Sequence, residues 1–110
     1  MDLYRGDIVE INLNPKKGDE VGKIRPCIII SDNESNEILD TIIVVPLSTQ
    51  LIDDMLPFRL RLTKRDKLDK DSDILINHIR TISKKRVTSF IGKITENEYK
   101  LIISNLCQNF

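Results

Sequence analysis

For most of its length the chain sets apolar and polar residues in short strand-like runs, and it changes period only near the end. In Ile8–Leu13, Val9, Ile11 and Leu13 alternate with Ile8, Glu10 and Asn12, which gives an extended strand one apolar face. Asn14-Pro15-Lys16-Lys17-Gly18 then has the composition of a turn or the start of a loop. Cys27 to Ile30 is a continuous, isoleucine-rich run, as expected of a strand buried on both faces, and Thr41 to Leu47 repeats it. The polar stretch between them, residues 31–40, is expected to be a surface connection. Phe58, Leu60 and Leu62 alternate with Arg59 and Arg61, a strand with one wet, basic face. Thr63 with Asp66 suggests a capped helical turn over residues 63–70. Asp73 to Ile79 returns to strand, residues 83–86 suggest another helical turn, and Phe90 to Ile94 is expected to be the last strand.

At Thr95 the period switches. Thr95-Glu96-Asn97-Glu98 has the form of a capping box, and Tyr99, Ile102, Ile103, Leu106 and Phe110 follow at helical spacing. The pattern therefore predicts a mainly β protein of about five to seven short antiparallel strands, barrel-like, with a C-terminal helix against the sheet.

Composition narrows the class. A hydrophobic share of 40% in 110 residues supports one folded core, so residues 1–110 are expected to form a single domain. The 17 basic and 17 acidic side chains cancel, so a nucleic-acid ligand would require the basic groups to be segregated onto one face. No apolar run approaches the ~20 residues of a membrane span, and the N-terminus lacks the pattern of a secretory signal. These features predict a cytoplasmic protein with no membrane partner. Cys27 and Cys107 lie far apart in apolar segments, without a CxxC or Cys/His cluster, and are expected to be two buried thiols.

Several motifs fail. Arg5-Gly6-Asp7 matches an adhesion tripeptide but is more simply the entry to the first strand. Asp69, Asp71 and Asp73 alternate like a calcium loop, yet its glycine and closing carboxylate positions fall on Ile74 and Arg80. One histidine, His78, rules out a two-histidine ribonuclease site within one chain. No metal site and no cofactor is expected.

Gly18 to Pro26 is the most informative stretch. Two glycines bracket a charged loop that runs directly into a buried strand, and Pro26 biases Arg25 toward extended angles. Arg25 is thus a permanent cation at a loop–strand junction, suited either to a phosphate or to an ion pair with a carboxylate such as Glu20. Ser48 and Thr49 end the third strand, Ser48 on the face of Pro46 and Thr49 on that of Leu47. They are either working hydroxyls or a strand cap. Asn77-His78-Ile79-Arg80-Thr81 is either functional or the polar close of a strand.

Taken in order, RGDIVEINLNP, GDEVGKIRP, CIIIS, VVPLSTQ and NHIRTISKKRV resemble the MazF/PemK family of toxin ribonucleases over Arg5 to about Val87. The resemblance implies an SH3-like barrel, a homodimer, a cognate antitoxin, and metal-independent cleavage of single-stranded mRNA. It implies catalytic roles for Arg25 and for Ser48 with Thr49 beside it, and RNA contacts from the Gly18–Gly22 loop. Candidate substrate-binding residues are Asp19, Glu20, Lys23, Asn77, His78 and Arg80. The sequence departs from the family pattern at Asp19, Val21 and Asn77-His78, and the last departure raises His78 as a local base. A non-catalytic binding module and a gyrase-poisoning toxin of the CcdB type are the competing functions.

Overall fold

Seven strands and two helices account for the regular structure of the computed structural model, which describes residues 1–110. The strands are β1 (Asp7–Asn12), β2 (Ile24–Ile29), β3 (Thr41–Ser48), β4 (Arg59–Leu62), β5 (Ser72–Leu75), β6 (Arg80–Ser83) and β7 (Val87–Lys93). Helix α1 spans Asn33–Ile38 and α2 spans Glu96–Cys107. The hydrogen-bonded order is β4-β5-β3-β2-β1-β7, with β6 also on β3, and every pairing is antiparallel.

β3 explains the architecture. Its eight residues are long enough to serve different partners at its two ends. Thr41–Val44 pair with β6, and Leu47–Ser48 pair with β5. The sheet curls but does not close, since β4 and β7 end the path. The loop after β4 crosses toward β7 through Lys67 N–H to the Ile91 carbonyl, 3.1 Å. Gly92 permits this approach, because a β-carbon there would lie 2.8 Å from an Asp66 carboxylate oxygen.

Strand alternation divides the core in two. On one side Ile8, Ile28, Val45, Leu47, Ile74 and Ile91 pack with Ile102 of α2. On the other, Val9, Ile11, Cys27, Ile29, Val44 and Ile82 form a second cluster. β2 and β3 contribute to both, so their central residues are apolar without interruption.

The expected capping box forms in both directions: Glu98 N–H donates to Thr95 Oγ1 at 3.1 Å, and Thr95 N–H donates to Glu98 Oε1 at 2.8 Å. Glu98 also pairs with Arg65, tying the helix start to the loop after β4. Thr95→Ala is expected to lower stability by about 1 kcal/mol, read by urea titration; an unchanged midpoint would show the cap to be energetically idle.

Five expectations need correction. Residues 63–70 form no helical turn: Asp66 adopts φ 49°, and Arg65 and Leu68 exchange backbone hydrogen bonds as a tight reverse turn. The polar connection contains α1, because Asp32 accepts the Ser35 N–H as an N-cap and Asn36 is buried against Ser31. The strand begun at Ser72 stops at Leu75, and residues 76–78 turn as a 3₁₀ helix. Phe110 is 94% exposed, since α2 ends at Cys107 and carries the apolar stripe no further. Cys107 is exposed rather than buried, being on the turn beside Leu106 that faces away from the sheet; Cys27 is buried as expected.

Candidate active site

The face of the sheet opposite α2 carries the candidate site, and strand register places its members. Ser48 on β3 lies directly across from Asp73 on β5, which lies across from Arg61 on β4. Cross-strand partners share a face, and so do residues two apart. Arg59 therefore joins Arg61, and Pro46 and Val44 join Ser48. Arg80 on β6 pairs with Val44, and Cys27 on β2 pairs with Pro46, so Arg80 and Arg25 lie on this face as well. Four arginines thus gather on one side of a chain with no net charge.

Arg25 is half-buried and fixed by two carbonyls. Its Nε donates to Gly22 O at 3.1 Å and its Nη1 to Leu47 O at 3.0 Å. Gly22 is buried where a β-carbon would meet Lys16 at 2.7 Å, so the loop can fold back on itself only with glycine there. Of the two readings of Arg25, pairing with Glu20 does not form: the ion pairs of the chain use Arg5, Arg59, Arg61 and Arg65. The bond to Leu47 O sets the guanidinium next to Ser48. Ser48 Oγ accepts the Gln50 N–H at 3.2 Å, which turns the chain out of β3.

His78, on the 3₁₀ turn after β5, shares a depression of about 120 Å³ with Glu20, Val21, Asn77, Ile79 and Arg80. Burial lowers its pKa below the ordinary imidazole value, the Arg59 and Arg25 guanidiniums lower it further, and the Glu20 carboxylate partly restores it. The imidazole is therefore neutral at neutral pH. Arg25 and Arg80 both lie close enough to Cys27 to favour its thiolate, but burial dominates and pushes that thiol up to about 12, which makes it inert.

The expected residues are not all in one place. Glu20, Asn77, His78 and Arg80 line one depression, Arg25 acts on its imidazole, and Ser48 follows the residue whose carbonyl Arg25 grips. Thr49 points the other way, into a separate depression with Pro26, Leu47, Leu68 and Ser72. Asp19 and Lys23 are exposed on the loop, Lys23 held by its backbone, its N–H donating to Asn14 Oδ1 at 2.8 Å and its carbonyl accepting the Leu13 N–H at 2.8 Å. Alternation in the sequence marks the basic face of β4, but only strand register joins it to the site. Asp73, which the sequence offers only as a failed calcium ligand, is buried across from the basic strand β4, the setting of an ion-pair anchor.

The fold and this face define a small, barrel-like β protein with arginines gathered on one side of its sheet. A family model described as PemK-like, MazF-like toxin of type II toxin-antitoxin system matches residues 4–110, and the chain belongs to that family. The endoribonuclease MazF of Staphylococcus epidermidis is 35% identical over 97 residues, covering 87% of this chain and 81% of that protein. Among solved structures, MazF from Deinococcus radiodurans superposes with TM-score 0.82 at 19% identity, over 99% of this chain and 96% of that one. A mycobacterial endoribonuclease in complex with its cognate antitoxin gives 0.74 at 20% identity, over 97% and 91%. At these identities the two structures speak for the fold. No helix is long and apolar enough to cross a membrane.

Proposed function

We propose that the chain is the toxin of a type II toxin–antitoxin system, a metal-independent endoribonuclease that cuts single-stranded RNA to 2′,3′-cyclic phosphate and 5′-hydroxyl ends. Residues 1–110 act as one toxin domain, in the cytoplasm, as a homodimer restrained by a cognate antitoxin. The family match and the named relative support the activity. The exposed Ile38, Leu39 and Ile43 are apolar surface that a second copy or the antitoxin would cover.

The observation that carries the reading is Arg25: a guanidinium held by two carbonyls, free of any carboxylate, beside Ser48. In the proposed reaction the 2′-oxygen attacks phosphorus, its proton passes to neutral His78, and the bond from phosphorus to the 5′-oxygen breaks. Arg25 binds the non-bridging oxygens as charge accumulates, and the departing 5′-oxygen takes its proton from water hydrogen-bonded there. The Ser48 hydroxyl orients the phosphate; its ordinary acidity makes it a poor base. Asn77, Arg80 and the Gly18–Gly22 loop with Asp19, Glu20 and Lys23 border the RNA path. Thr49 supports the end of β3 from the other face.

The test is incubation of purified protein with a long unstructured RNA in excess chelator. Discrete fragments are expected. Intact RNA under those conditions would reject the proposal in favour of a binding module or a gyrase poison.

A further inference from the structure

Resting on the nuclease reading, we propose that Arg59 is a second phosphate-binding cation of this cleft, gripping the RNA backbone one step away from the bond that breaks, and that Asp73 is the positioning residue that aims it.

Asp73 lies in the middle of β5 with its side chain only 2% exposed. An unpaired carboxylate there would be costly, and this one is saturated. Its Oδ1 accepts from Arg61 Nε at 2.7 Å, and its Oδ2 accepts from the Ile52 N–H at 2.9 Å and from Arg59 Nη1 at 3.1 Å. Arg61 is spent on carboxylates, since its Nη2 also donates to Asp53 at 2.7 Å. Arg59 is not. Its Nη1 makes both of its bonds, to Asp73 and to Gln50 O at 3.0 Å, leaving Nη2 and Nε without a protein partner. A guanidinium anchored at one nitrogen presents the other two donors to a ligand, and two parallel donors match a phosphate.

Location selects the ligand. Arg59 sits across from Leu75, just before the turn that carries His78, and it shares a sheet face with Ser48. Its charge reaches His78, as does that of Arg25. Both guanidiniums thus act on one imidazole, and the Ser48 hydroxyl lies on the same sheet face. A chain with repeating negative charge can engage both. The carboxylate does a second job, because its bond to Ile52 and the Arg59 bond to Gln50 O fix the segment that leaves Ser48.

The test compares wild type, Arg59→Met, Asp73→Asn and Lys100→Ala in cleavage of one fluorogenic oligoribonucleotide across a salt series. Lys100 is an exposed cation of α2, on the other side of the sheet. For Arg59→Met, KM is expected to rise roughly tenfold, the loss of one charged hydrogen-bonded contact. The slope of log(kcat/KM) against log[salt] should shrink by about 0.7, one released counterion on a single strand. Asp73→Asn keeps the arginine and the shape, so it should raise KM while leaving that slope near wild type. Lys100→Ala should change neither. An Arg59→Met slope equal to wild type, or an equal drop in Lys100→Ala, would overturn the proposal. Failure of wild type itself to cut would instead reject the nuclease reading on which it rests.

Discussion

Arg25→Ala is expected to slow RNA cleavage by roughly a hundred- to a thousand-fold, the usual effect of deleting one preorganised donor to a developing oxyanion. Arg25 gives its protein hydrogen bonds to Gly22 O and Leu47 O, acceptors that orient it without neutralising it. Its charge therefore remains available to a phosphate, where an arginine paired to Glu20 would already be satisfied. The side chain is only half-buried, and water can replace it at both carbonyls, so the variant should fold. Arg25→Lys separates charge from shape: an ammonium keeps the charge but loses the fork, and should recover only part of the rate. Single-turnover cleavage of a fluorogenic oligoribonucleotide, with circular dichroism as the folding control, reads both variants. Near-native turnover by Arg25→Ala would remove this residue from the chemistry.

The second large effect concerns His78. A positioned base contributes about a hundred- to ten-thousand-fold, and His78→Ala should lose that much at neutral pH. The pH profile is the sharper evidence. Burial and two nearby guanidiniums depress the imidazole pKa, so the proton-accepting form dominates at neutral pH. Wild-type kcat/KM should hold steady near neutrality and fall as the medium is acidified through a pKa below the ordinary 6.5. Glu20→Gln removes the one group that raises this pKa, so its inflection should move lower still. The same shift has a consequence for stability. The unfolded chain protonates His78 more readily than the folded one, so this residue's contribution declines as pH falls below 6.5 toward the folded value. An acid limb that persists unchanged in His78→Ala would assign the titration to another group.

Much of this was legible in the residues. Period-two alternation found β1 and β4, unbroken isoleucine and valine found β2 and β3, and Thr95 with Glu98 announced α2. Each of these signals is local. Arg25 was legible for the same reason: two glycines and Pro26 constrain the chain at the spot where the guanidinium emerges. The rest depended on pairing between distant segments. Asp73 stands at the start of the strand expected from residue 73, directly after a polar run, and only its register with Ser48 on one side and Arg61 on the other makes it the anchor of the cleft. Ser48 and Thr49 are adjacent and chemically alike, and alternation placed them on opposite faces without saying which face is the cleft. The helical turn expected at residues 63–70 failed because propensity weighed Thr63 and Asp66, while the chain there is bent by its approach to β7. Balanced composition concealed the basic face because a whole-chain count does not show which strand faces carry the charges, nor that Asp73 is already paired with Arg59 and Arg61.

The most direct measurement begins by mapping one cleavage position in a short RNA, then replaces the nucleotide on its 5′ side with the 2′-deoxy form. Attack by the neighbouring 2′-oxygen is the one step that every assignment in the cleft serves. Complete resistance of the deoxy-substituted strand, with binding retained, is the predicted result. Scission of that strand at the same position would mean that water or another nucleophile attacks, and the roles given to His78 and Arg25 would not stand.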